Sequence, residues 1–182
     1  MKIIESFKTK SGKNIDIIEP SIDWLDEVLC WANTLAKEDT FLTFDPGKEI
    51  LREDEEKWLQ NQIIYREKGT AFLFWAICDN HIVGSVDIHR GFSVRDYHVG
   101  NIGLMIDKEF RGDGLGKYLL NFILEKAKKS GIRTAILHVF SDNEIAYNLY
   151  KKMGFLEYGK LPDGLWRKYH FSDDIYLYKQ LL

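Results

Sequence analysis

The chain has 182 residues, of which 45% are hydrophobic and 14% aromatic, with a formal net charge of −3. That length and apolar content suffice to bury the core of one domain spanning residues 1–182 without disulfide staples. The slight acidity argues against nonspecific nucleic-acid binding, and no apolar run reaches the length needed to span a bilayer.

The start, Met1-Lys-Ile-Ile-Glu, lacks the apolar segment of a secretion signal, so a cytoplasmic protein is expected. Asn14-Ile-Asp-Ile-Ile18 alternates as a first strand. Pro20-Ser21 then opens a helix with Trp24, Leu25, Val28, Ala32 and Leu35 along one face. A loop at Pro46-Gly47 precedes a second helix, over residues 49–66, with Leu51, Trp58, Leu59, Gln62 and Ile63 on one side. Gly69 ends it. Ala71 to Cys78 is a nearly continuous apolar strand, and Asp79-Asn80 turns it into a hairpin with His81 to His89. A polar loop from Arg90 to Tyr97 leads to the apolar run Ile102 to Ile106.

After that run stands Arg111-Gly112-Asp113-Gly114-Leu115-Gly116, and then Leu115, Tyr118, Leu119, Phe122, Ile123 and Ala127 repeat along one helical face. Ile132 to Phe140 is a further strand. Ser141, Asp142 and Asn143 are capping residues for a last helix, and Gly154 suits its left-handed end. A strand through Tyr158, a loop at Pro162-Asp163-Gly164 and a strand over Ile175 to Lys179 complete the order. Cys30 and Cys78 are expected as buried, reduced thiols, and neither they nor His81, His89, His98, His138 and His170 have metal-ligand spacing, so no metal is expected.

The layout strand, glycine-rich turn, helix is suited to a phosphate or pyrophosphate. Glycines adopt dihedrals closed to other residues and let the backbone approach a ligand. The helix start adds unpaired N–H groups and the positive end of a dipole. The dinucleotide pattern G-x-G-x-x-G fails, because its last position is Lys117. The P-loop pattern fails too, because Gly116-Lys117 is followed by Tyr118. What fits is R-x-x-G-x-G, at Arg111, Gly114 and Gly116. With Asn143, Ala146, Leu149-Tyr150 and Gly154-Phe155 in the pattern N-x-x-A-x-x-L-Y-x-x-x-G-F, the chain resembles the GNAT superfamily of N-acetyltransferases.

The resemblance implies an α/β (α+β) fold, a mixed and mostly antiparallel sheet of about seven strands flanked by about four helices. The sheet would splay between the strands ending near Ile106 and Phe140, with acetyl-CoA as cosubstrate in the V. It assigns the backbone of Leu104, Met105 and Ile106 to the pantetheine arm, and that of Arg111, Gly112, Asp113, Gly114, Leu115, Gly116 and Lys117 to the pyrophosphate. Asn143 would hydrogen-bond the arm and Tyr150 would be the general acid, a role that suits a phenol still protonated at neutral pH. Many relatives carry a glutamate in an E-I-G-L pattern before the loop. Here Asn101-Ile102-Gly103-Leu104 puts an amide in that position, which cannot serve as a base. Glu38, Asp39 and His98 are the candidate bases; an amine that arrives neutral needs none.

The implied activity is transfer of acetyl from acetyl-CoA to a primary amine of a small molecule or protein, directly within a ternary complex. No cysteine lies near the motifs to carry an acetyl intermediate. The alternative is a noncatalytic acyl-CoA-binding sensor or subunit on the same fold, which would have no use for Tyr150. The acceptor amine stays open among amino acids, polyamines, antibiotics, protein N-termini and lysines. Neither nucleic acid nor membrane is expected as a partner, and the chain is expected as a monomer or homodimer. Glu49, Glu53, Asp54, Glu55 and Glu56 crowd the start of the second helix. They serve either the helix dipole or a rim that attracts a cationic acceptor. Trp166, after Pro162, would contact substrate or a second subunit if it is not core.

Overall fold

The computed structural model describes residues 2–38, 41, 48–167 and 169–182. The loop expected at Pro46-Gly47 and the candidate base Asp39 lie outside them. In chain order the strands are β1 (Ile3–Lys8), β2 (Asn14–Ile18), β3 (Ala71–Cys78), β4 (His81–Arg90), β5 (Val99–Ile106), β6 (Thr134–Phe140), β7 (Leu156–Arg167) and β8 (His170–Gln180). The helices are α1 (Leu25–Lys37), α2 (Arg52–Glu67), α3 (Leu115–Lys129) and α4 (Glu144–Lys152). The strands form one open sheet in the order β1-β2-β3-β4-β5-β6-β8-β7. Every pairing is antiparallel except that of β5 with β6, which α3 makes possible as the crossover between them.

Helices cover both faces. Leu115, Leu119, Leu120, Ile123 and Ala127 of α3 pack against Phe74, Ala76, Val86, Ile88, Ile102 and Leu137. On the opposite face Leu25, Val28, Trp31 and Leu35 of α1 and Leu59 of α2 close over Leu73, Trp75, Ile77 and Ile82. Strand β3 therefore sends alternate residues into two cores, and its unbroken apolar run follows from burial on both sides.

The sheet has eight strands. The additional one is β1, an edge strand whose side chains are mostly exposed, so its sequence carries no clean alternation. The second helix begins at Arg52, which leaves Glu49 ahead of it. Pro162-Asp163-Gly164 is not a loop between strands but an irregularity inside β7, where the register shifts between Leu161 and Leu165. Asp163 takes a φ of 53° there, and its N–H donates to Asp173 at 3.1 Å. An edge strand tolerates a proline because that side of the ladder has no neighbour to bond. Cys30 is exposed on α1 rather than buried; Cys78 is buried, and both are free.

The pairing of β5 with β6 is short: Val99 with Thr134, Gly100 with Ala135 and Asn101 with Ile136. Beyond those residues β5 stays bonded to β4 as far as Ile106, and β6 to β8 as far as Phe140. Each strand keeps its own outer partner while the two part from each other, which opens a wedge toward their C-terminal ends.

Leu119 is fully buried in the α3 core. Leu119→Ala should lower unfolding free energy by about 2–5 kcal/mol, the range for a leucine truncated in a packed core, as read by urea denaturation.

Candidate active site

The wall of the wedge is the side of β5 that β6 has left. From Ile102 to Ile106 the strand is paired with β4 and not with β6, so part of its backbone, though not the Ile106 carbonyl that Arg111 takes, is available to a ligand that carries amides. Leu104 and Ile106 turn their side chains toward the α3 core, while Met105 packs on the opposite cluster. A short turn anchored by buried Phe110 then carries the chain into the glycine-rich loop.

Gly112 and Gly114 hold φ of 76° and 93°, and α3 starts after Gly114 with no side-chain cap. Its first N–H groups are thus left for an anion, with the helix dipole behind them. The loop's side chains face the protein instead. Arg111 donates from Nε to the Ile106 carbonyl at 2.9 Å and from Nη2 to Glu38 at 3.2 Å. The Arg111 N–H also turns inward, to the Lys108 carbonyl. The Asp113 carboxylate accepts from the Ser11 N–H at 2.8 Å and from the Ser11 hydroxyl, while its carbonyl accepts from the Lys10 N–H at 3.1 Å. Those hydroxyl contacts, Ser11 first and then Thr9, hold the Asp113 carboxyl below the usual range. The β1–β2 turn thus acts as a strut for the loop. Gly116 is different: a Cβ there would point into the wedge, 3.5 Å from Leu149 and 3.8 Å from Ile106.

Helix α4 closes the other side. Asn143 caps it, its side-chain carbonyl accepting from the Ala146 N–H at 3.2 Å, which leaves the amide NH2 for a ligand. Gly154 ends the helix at a φ of 82°. Tyr150 is buried in the α3 core, its ring 6.0 Å from that of Phe155. Burial pushes its phenol up to about 12, so it stays protonated at neutral pH. The β5 backbone, the α3 N-terminus, Asn143 and Tyr150 come from the two sequence motifs and the strand before them.

The candidate bases are dispersed. Glu38, at the end of α1, is committed to Arg111 and so sits beside the glycine-rich loop. Asp39 is outside the described residues. His98 is exposed at the closed end of the wedge, its carbonyl accepting from the N–H groups of Arg133 and Thr134. Two pairs that the sequence reading passed over lie on the face opposite α3. On β4, Asp87 stands 3.4 Å from His89. On β6, His138 Nδ1 lies 2.9 Å from the buried carboxylate of Asp174 on β8. Burial raises the Asp87 carboxyl above the ordinary range, against the lowering effects of His89 and the Gly103 N–H. The available signal was the alternation Ser85, Asp87, His89 in an otherwise apolar strand.

Residues 34–155 match the sequence profile of the Acetyltransferase (GNAT) family. The chain belongs to that family. It is 34% identical over 94 residues to N-alpha-acetyltransferase 30 of Schizosaccharomyces pombe, a match that covers 50% of this chain and 61% of that relative. A GNAT-family acetyltransferase structure from Streptococcus pneumoniae superposes with a TM-score of 0.82 at 28% identity, covering 91% of this chain and 99% of that one. A Salmonella typhimurium protein solved with acetyl-CoA as its cofactor superposes with a TM-score of 0.79 at 14% identity, over 93% and 95% of the two chains.

In this GNAT-family chain the acidic stretch at the second helix is divided. Glu55 is buried on the same face of α2 as Leu59 and Gln62, and burial raises its carboxyl. It cannot belong to a solvent-facing rim. Glu53 and Asp54 are exposed and Glu56 is half-buried. Trp166 is 58% exposed, on β7 rather than in a loop. No described helix is long and apolar enough to cross a membrane.

Gly116 supplies a test of the wedge as the cofactor site. Gly116→Ala and Gly116→Val add bulk toward Leu104, Ile106 and Leu149 without a positive φ to strain. Acetyl-CoA affinity by calorimetry should fall progressively, at least tenfold for Val (~1.4 kcal/mol). The Ala variant should melt no lower than the parent, since alanine favours helix over glycine.

Proposed function

We propose that this GNAT acetyltransferase transfers acetyl from acetyl-CoA to a primary amine of a small molecule or protein, directly within a ternary complex. The observation that carries the proposal is that an uncapped helix N-terminus follows an unpaired stretch of β5, while Leu149 of α4, next to the buried Tyr150, lies 3.5 Å from where a Gly116 Cβ would stand. The pyrophosphate would take the N–H groups at the start of α3, and the pantetheine amides would extend along Leu104 to Ile106 with help from Asn143. Holding thioester and amine together supplies much of the rate. Tyr150 would protonate the departing thiolate, a role for which a phenol kept neutral by burial is suited. Direct transfer is favoured because Cys30 lies on α1 and Cys78 at the end of β3, neither in the motifs around the wedge.

Peptides with a free α-amine are the first acceptors to try, because the Schizosaccharomyces pombe relative is named for that chemistry. Thiol release from acetyl-CoA, measured with an alanine-terminated peptide, lysine and spermidine, tests the proposal. Acetyl-CoA binding with no thiol release to any amine would point instead to an acyl-CoA sensor.

Tyr150→Phe keeps the ring and removes the acid. Turnover should fall on the order of a hundredfold with acetyl-CoA affinity little changed; normal turnover would return Tyr150 to a packing role.

Glu53, Asp54 and Glu56 remain as a rim for a cationic acceptor. Replacing them together by Gln or Asn should raise the KM for spermidine, and the effect should shrink with salt, since exposed charges are screened beyond about 8 Å at physiological ionic strength. The KM for acetyl-CoA should hold. A lower melting temperature with both KM values preserved would assign these residues to the helix dipole.

A further inference from the structure

We infer that Asp87 on β4 stands in for the carboxylate absent at position 101 and receives the acceptor's amine on the sheet face opposite α3; this rests on the acetyl-transfer reading above. Val86 and Ile88 of β4 point into the α3 core, so Ser85, Asp87 and His89 occupy the other face. In the ladder Asp87 lies opposite Gly103, and His89 opposite Asn101. The carboxylate is therefore one strand over and two residues along from the amide it replaces, on the same face.

Gly103 makes the arrangement possible. A Cβ at that position would sit 2.5 Å from Asp87 Oδ1, so any side chain there would drive the carboxylate away. With glycine, the carboxylate lies over the backbone of β5, at the point where β5 has just lost β6 and the wedge begins. Asp87 is 22% exposed, open enough to be reached yet shielded enough that an unmatched charge is costly. Among the described residues its ion-pair partner is His89, whose outer side is held by the Tyr65 ring of α2 at 6.2 Å. An incoming ammonium would complete the neutralisation. Ser85, on the same face, keeps its buried hydroxyl without a hydrogen-bond partner among the described residues.

Two other carboxylates among the described residues are held by partners away from Gly103. Glu38 is paired to Arg111 and Asp174 to His138. Asp87 takes one proton from the acceptor ammonium, and the freed nitrogen lone pair forms the bond to the thioester carbon. As the C–S bond breaks, its electron pair goes to sulfur, which takes the Tyr150 proton. The second proton lost by nitrogen restores Tyr150, and Asp87 returns its own to solvent. The products are the amide and the free thiol.

The test is thiol release from acetyl-CoA with the alanine-terminated peptide, lysine and spermidine, on the wild type, Asp87→Asn and His138→Gln. Asp87→Asn should lower kcat/KM for the amine roughly a hundredfold while calorimetric affinity for acetyl-CoA stays within about twofold. In the wild type, kcat/KM should fall as the pH drops through the Asp87 pKa, and the Asn variant should lose that limb. The groups facing Asp87 are Leu73 from β3, Gly103 and Asn101 from β5 and His89 from its own strand, with Tyr65 of α2 behind His89. His138 shares the face from β6, so a limb that vanishes in His138→Gln and survives in Asp87→Asn overturns the inference. Full amine kcat/KM in Asp87→Asn also overturns it, with acetyl transfer itself intact. Should that variant not fold, Gly103→Ala keeps the carboxylate but displaces it, and full activity there has the same meaning. A wild type that binds acetyl-CoA and acetylates none of the amines removes the acetyl-transfer reading and Asp87's role together.

Discussion

The structure depends on one broken pairing. A parallel ladder between β5 and β6 that continued to Ile106 and Phe140 would satisfy both backbones and leave no wedge. It stops at Asn101 and Ile136, and the strands part without fraying because β4 and β8 hold their far sides. The cost is a half-exposed stretch of β5 backbone that β6 does not pair, whose free amides need solvent or another partner to bond. Helix α3 springs from the end of that same strand, so the unpaired amides and the uncapped helix start belong to one continuous surface.

Because the break is inside the sheet, it joins the two faces. The α3 side carries Tyr150, where burial keeps a phenol neutral. The opposite side carries Asp87, where burial pushes the carboxyl up while His89 and the Gly103 N–H pull it down. Environments that move an acid and a carboxylate in useful directions are a common arrangement for proton transfer at neutral pH. Gly103 permits the carboxylate and Gly116 leaves space in the wedge, so two glycines shape the site by what they omit.

What was legible in the sequence was local. The glycine-rich loop, the Asn143 cap and Gly154 each act through neighbours a few residues away, and the structure has the turn and both helix ends where their residue types imply. Features that depend on register or on a sheet edge were not legible. Strand β1 is too exposed to alternate, and Pro162-Asp163-Gly164 resembles a loop unless the strand is known to be an edge. Glu55 could not be told from its acidic neighbours, because only the packing of α2 on the sheet decides which carboxylate is buried. Asp87 was invisible for a similar reason: its place over β5 follows from lying opposite Gly103, sixteen positions on in the sequence.

The arginine of the R-x-x-G-x-G signature spends its side chain on the protein itself. Arg111 spans from the Ile106 carbonyl, where the wedge strand ends, to Glu38, where α1 ends. Its charge is answered by Glu38, and the same contact ties the end of α1 to the glycine-rich loop. Asp113 does the corresponding job on the other flank through Ser11 and Lys10 of the β1–β2 turn. Between these two anchors the left-handed glycines are held in one conformation, and the ordering entropy of the loop is met on folding instead of on ligand binding. The N–H groups at the start of α3 are then left with directions that the helix itself sets.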